Sequence, residues 1–260
     1  MSPGRKSTRT SPGARRASCR PPTPPRRARR DGWIIAIDGP AGVGKSTVGT
    51  LVARKLGYRF INTGEMYRAL TWKALEEGLD LRDGRALTRQ ALRLDWDFRT
   101  NDDGVIIRTF LDGQGVTLQI RDERVSRNSS LVAGVRGVRR HLRDLQRRLG
   151  ERGGIVMEGR DITTNVFPDA DFKFFLDGSV AERAKRRTKQ LRTQGKKASL
   201  AKIREGIMQR DNQDAQRRIN PLRQAKDAVV IDSTRLTMRE VADRILAHIR
   251  GGERRRARSS

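Results

Sequence analysis

One cysteine, Cys19, is present in 260 residues, which excludes an intrachain disulfide framework and makes a reducing cytosol the expected setting. No uncharged apolar run approaches the ~18 residues that a membrane span requires, so a soluble, cytoplasmic protein is expected. Residues 1–30 contain no Asp or Glu and no Leu, Ile, Val, Phe, Trp or Tyr. Such a stretch has neither the apolar h-region of a signal peptide nor the apolar face of a transit helix, and it cannot build a core. Residues 1–32 therefore read as a disordered basic arm. Histidine is scarce too: His141 and His248 show no metal-ligand spacing and read as surface residues of basic helices.

What the chain does have is positive charge. The net charge is +27, of which the first 30 residues carry +10 and residues 250–260, a basic C-terminal tail, carry +4. The remaining +13 falls on residues 31–249, so the core itself is basic and its field favours polyanionic ligands, whether nucleotides or nucleic acid.

Along residues 33–249 short apolar runs alternate with longer helical patterns, which predicts one α/β domain with a parallel sheet and flanking helices. "WIIAID", "YRFI", "GGIVMEG", "DFKFFLD" and "AVVID" read as its strands. Residues 92–117 have a different texture: "LDWDFR", the turn "TNDDG" and "VIIRTF" predict a small antiparallel insert. Helices are expected over residues 65–77, within 122–149, from Ser179 with Glu182 as a capping box, over 199–218, and from Thr237 with Glu240 to Ile249.

The sharpest signal is "IIAIDGPAGVGKSTVGTLVARKLG", in which Gly39, Gly44, Lys45 and Ser46 fit G-x-x-x-x-G-K-[ST] between a strand and a helix. Glycines there let backbone N–H groups close around phosphates, and the helix start adds positive partial charge. Gly39, Pro40, Ala41, Gly42, Val43, Gly44, Lys45, Ser46 and Thr47 are the expected phosphate-donor loop, with Lys45 on the outer phosphates and the Ser46 hydroxyl on Mg²⁺. The motif alone leaves kinases, GTPases and nucleic-acid motors open. No N-K-x-D guanine-reading motif occurs, and a motor needs a larger core.

Six blocks, "IDGPAGVGKST", "NTGEMYRAL", "EGRDITTNVFPDA", "FKFFLD", "RDNQDAQRRINPL" and "VVIDST", in this order and spacing, resemble bacterial-type cytidylate kinase, a nucleoside monophosphate kinase family. The resemblance implies a P-loop kinase core, a monophosphate-binding region with an antiparallel insert (about residues 62–150) and a mobile helical lid (about 179–215). It implies transfer of the γ-phosphoryl group of ATP to CMP or dCMP, with Mg²⁺, by a chain expected to act as a monomer. It also implies residue roles. Arg68, Arg160 and Arg217 would meet the acceptor phosphate, and Arg186 and Arg187 would belong to the lid. Ser130, Arg139 and Asp161 would face the base. Thr63, Tyr67, Arg210 and Asp214 complete the acceptor set, Asp214 toward the ribose, and Lys45, Arg160, Asp161, Arg186 and Arg217 are the expected catalytic group. The chain departs from the family pattern at Glu158, Thr163, Asn165 and Glu65. A UMP/CMP kinase of broader range, or a P-loop nucleic-acid-binding NTPase whose basic tails hold the nucleic acid, are the alternative readings.

Overall fold

The structure is a computed structural model that describes residues 31–195 and 197–258. The basic arm expected over residues 1–32 thus lies, but for its last two residues, outside the described residues. Five parallel strands form the main sheet in the order β2 (Arg59–Asn62), β6 (Ile155–Glu158), β1 (Ile34–Asp38), β7 (Phe172–Asp177), β8 (Val229–Asp232). All five residues of β1 are buried, as a central parallel strand covered on both faces requires. Its alternation feeds two cores: Ile34 and Ala36 join Met157, Met66 and Leu142 on one face, while Ile35 and Ile37 join Val48, Phe174 and Ile245 on the other.

Helix α1 (Lys45–Leu56) follows β1, and α2 (Thr63–Glu76) follows β2. The insert is a three-stranded antiparallel sheet of β3 (Trp96–Thr100), β4 (Ile107–Leu111) and the short β5 (Gln114–Gly115). Before it stands α3 (Gly84–Arg93), capped by Asp83, whose carboxylate accepts the N–H groups of Arg85 and Ala86. Past it, α4 (Glu123–Val132) and α5 (Arg136–Gly150) divide the region expected to be helical. On α5, His141 is half-buried near the Trp96 ring, at 6.3 Å between centroids, and so is not the surface residue expected.

Helices α6 (Val180–Thr193) and α7 (Leu200–Ala215) pair beyond β7. Helix α7 stops three residues short of the expected end, so Arg217 lies past it rather than on its face. The last helix, α8 (Met238–Arg258), runs nine residues beyond Ile249, through the stretch read as a tail. The reason is local packing: a Cβ at Gly252 would meet the Phe172 ring at 2.7 Å, so glycine lets the helix lie against that ring, and Trp33 Nε1 donates to Glu253 at 3.0 Å. Among the described residues no helix is long and apolar enough to cross a membrane.

Candidate active site

The phosphate loop, the turn after β6 and the residue after β7 all sit at the carboxyl ends of neighbouring parallel strands, where open α/β sheets place their ligands. The loop from Gly39 to Gly44 depends on its glycines. Gly39 has φ 149°, and a Cβ on it would lie 2.1 Å from the Leu176 carbonyl oxygen; Gly44, at φ 101°, would drive a Cβ into Met238 Sδ. Lys45 is buried, with Nζ donating to the carbonyls of Gly39 at 2.8 Å and Pro40 at 2.7 Å. Burial, and next the nearby Arg160 charge, lower its pKa to about 7.

Ser46 is exposed at the start of α1, and its hydroxyl donates to Glu158 Oε1 at 2.5 Å. Glu158 ends β6 and noticeably adds a carboxylate to the loop that the sequence reading treated only as a departure from pattern. Thr63, the first residue of α2, donates its hydroxyl to the Glu158 carbonyl at 2.7 Å.

On the acceptor side the structure brings Arg68, Arg160, Arg210, Asp214 and Arg217 together from four segments. Asp214 is 3% exposed and bridges Arg160, whose Nε lies 2.8 Å from Oδ2, and Arg217, which donates to Oδ1. Its own burial would raise its pKa, but Arg160, Arg217 and Arg210 outweigh that and hold it below the usual carboxylate value. The cations beyond this bridge are short of anions. Burial and then Arg160 lower the pKa of Arg68, and burial, Arg160 and Arg68 push Arg210 down to about 9. The Nε groups of both are buried and have no hydrogen-bond partner among the described residues.

Arg139 and Asp161 meet as a buried pair, Nη2 to Oδ2 at 2.5 Å, and the guanidinium stands 5.5 Å over the Tyr67 ring. Ser130 lies half-buried on α4. The turn that carries Asp161 continues as a π-helical turn (Ile162–Val166), an irregularity often met at functional sites. The two departures within it each bind a carboxylate: Thr163 Oγ1 donates to Asp38 at 2.6 Å, and Asn165 Nδ2 to Asp161 Oδ2 at 2.9 Å.

Four site residues escaped the sequence reading. Asp38, fully buried at the end of β1, also accepts the N–H groups of Ile162 at 3.0 Å and Thr163 at 2.7 Å, while burial raises its pKa to about 6. An acid closing an apolar strand was the available signal. Glu158 is the second; Arg183 and Asp211 are the others, joined to each other beside the phosphate loop.

One expected catalytic residue is placed elsewhere. Arg186 donates to the carbonyls of Ser233 at 2.6 Å and Leu236 at 3.0 Å, so its guanidinium caps the loop between β8 and α8. The next residue, Arg187, is the one whose charge bears on Arg68, because one step along a helix turns a side chain by about 100°.

A family model described as cytidylate kinase matches residues 35–251. A cytidylate kinase from Bacillus subtilis (strain 168) is 46% identical over 212 residues, covering 82% of this chain and 94% of that one. One from Pelotomaculum thermopropionicum is 44% identical over 220 residues, covering 85% and 97%. A bifunctional pantoate ligase/cytidylate kinase from Synechococcus sp. (strain JA-3-3Ab) is 47% identical over 226 residues; they are 86% of this chain but only 42% of that protein, so this chain spans less than half the length of the bifunctional relative.

Proposed function

Since the chain belongs to the cytidylate kinase family, we infer that it transfers the γ-phosphoryl group of ATP to CMP or dCMP, giving ADP and CDP or dCDP. The observation that carries this reading is the set of Lys45, Arg68 and Arg210, each disfavoured by the nearby Arg160 charge, with two buried guanidinium N–H groups that have no partner among the described residues. Cations crowded together with little exposure to water cost stability until anions meet them. The phosphate loop supplies one anion position and the Arg68 side the other, so the cluster spans the gap that the phosphoryl group crosses.

The acceptor is already a phosphate anion at neutral pH and needs little help from a base. An acceptor oxygen forms the new O–P bond while the bond from the γ-phosphorus to the β–γ bridging oxygen breaks, its electron pair leaving with ADP. Catalysis then consists of alignment and of neutralising charge on the transferred group. Lys45 exchanges its two carbonyl partners for phosphate oxygens, and Arg160 stands between the donor and acceptor sides. Asp214 holds Arg160 and Arg217 and offers its carboxylate to the ribose hydroxyls. The Ser46 hydroxyl and the Glu158 carboxylate are hard oxygen donors of the kind Mg²⁺ prefers. Mg²⁺ bound with ATP beside them would neutralise the β- and γ-oxygens.

The Arg139–Asp161 pair supports cytosine as the base. A carboxylate accepts from its 4-amino group but repels the 4-carbonyl of uracil, and a guanidinium donates to N3 of cytosine but meets N–H in uracil. Buried carboxylates inside the arginine cluster speak against a P-loop protein that binds only a nucleic-acid backbone, which gains nothing from them. The single cysteine supports a cytoplasmic setting. The test is ADP release from ATP with CMP, dCMP, UMP, AMP and GMP. CMP and dCMP are expected to exceed UMP by about tenfold or more, from one hydrogen-bond reversal. Equal use of AMP or GMP would overturn the assignment.

A further inference from the structure

We infer that Asp211 is a positioning residue for the phosphate-donor loop, clamping the backbone at Ala41 through Arg183. Its Oδ1 accepts the Ala41 N–H at 3.0 Å, and its Oδ2 receives Arg183 Nη1 at 2.5 Å. The same Arg183 nitrogen donates to the Ala41 carbonyl at 2.8 Å, and Arg183 Nε donates to the Gly178 carbonyl at 2.8 Å. One residue of the loop is therefore held at its N–H by α7 and at its carbonyl by α6, in a closed ring of three partners. Arg183 is 4% exposed and Ala41 6%, so water competes little for these bonds.

The clamp sits where the loop needs outside support. Ala41 precedes Gly42, which is exposed at φ 75°, and a glycine there leaves the chain free to bend on the way to Gly44 and Lys45. Neither Asp211 nor Arg183 is among the groups assigned to the reacting phosphates. Their effect is on where the loop N–H groups point before the nucleotide arrives, which is the preorganisation an anion site depends on. Helix α7 also carries Asp214, three residues on and hence on the same side, which holds Arg160. The helix that orders the acceptor cations thus also fixes the donor loop.

This inference rests on the loop being the ATP site, and the experiment needs no acceptor. Equilibrium binding of MgATP is measured by calorimetry for the wild type, Asp211→Ala, Asp211→Asn, Arg183→Met and the double variant Arg183→Met/Asp211→Ala, with CMP binding measured in parallel. Asp211→Ala is expected to weaken MgATP binding by about tenfold or more, as the loss of charge-assisted bonds implies, with CMP binding changed less than about threefold. Asp211→Asn, which keeps an acceptor for Ala41 but not the charge for Arg183, falls between. The double variant is no weaker than Asp211→Ala, because the two residues act as one unit. MgATP affinity within about twofold of wild type in Asp211→Ala, or equal losses for ATP and CMP, would overturn the inference. Should Asp211→Ala not fold, Asp211→Asn and Arg183→Met carry the same comparison. A wild-type protein that binds MgATP but does not phosphorylate CMP would refute the functional reading and leave this test intact.

Discussion

Lys45 should take up a proton when ATP binds at pH 8. Burial and the Arg160 charge bring its pKa from 10.5 to about 7, a shift that disfavours the ammonium by on the order of 5 kcal/mol. At pH 8 a group with that pKa is about nine-tenths neutral. Phosphates at Lys45 favour the charged form and return the pKa well above 8, so binding draws in about 0.9 proton per nucleotide. The assay is calorimetry of MgATP binding in buffers of different ionisation enthalpy, where the slope of apparent enthalpy gives the protons taken up. Lys45→Met should abolish most of the slope. The same shift has a stability consequence: between pH 7 and 10.5 the unfolded chain holds the Lys45 proton and the folded chain does not, so this residue's contribution to stability rises with pH across that window. A wild-type slope of zero at pH 8 would show Lys45 already charged without nucleotide and refute the argument from buried, opposed cations.

Removing the bridging carboxylate by Asp214→Ala leaves Arg160 and Arg217 without their partner, and should cost about 3 kcal/mol in denaturant unfolding and change the CMP to dCMP ratio of kcat/KM. An unchanged ratio would return Asp214 to a purely structural role. Arg139→Met should lower kcat/KM for CMP far more than for UMP, since only cytosine offers N3 as an acceptor; equal losses would defeat the base-reading scheme. Arg186→Ala, which removes bonds to the carbonyls of Ser233 and Leu236, should lower Tm while kcat falls less than about threefold. A collapse of kcat at unchanged Tm would restore Arg186 to the catalytic group.

The donor loop was legible because its signal is local: eight consecutive residues, glycines at the positions of unusual φ, and a strand and a helix on either side. The parallel strands announced themselves in the same way, as apolar runs too short for helices. Residues paired across long stretches of chain were not legible. Asp38 meets the π-helical turn 124 residues on, and Ala41 meets Asp211 across 170. Nothing in the neighbourhood of either acid in sequence indicates its partner. Arg186 and Arg187 show a second limit, since a run of adjacent arginines on a helix does not reveal which one faces the site. Helix α3 was missed because its residues are largely polar and its Asp83 cap resembles an ordinary turn aspartate. At the other end, residues 250–260 read as a basic tail because they carry no apolar periodicity, yet the helix runs on through them to Arg258, with Gly252 clearing the Phe172 ring.

The central claim is that one cation cluster serves a donor phosphate and an acceptor phosphate together. It is tested most directly by binding of an adenosine–cytidine bisubstrate compound joined through five phosphates, compared with ATP and CMP separately, in the wild type and in Arg160→Met. The account predicts that the joined compound binds at least about a hundredfold more tightly than ATP, as linkage makes the second contact intramolecular, and that Arg160→Met removes most of that advantage. Binding no tighter than that of ATP, or an advantage untouched in Arg160→Met, would contradict it.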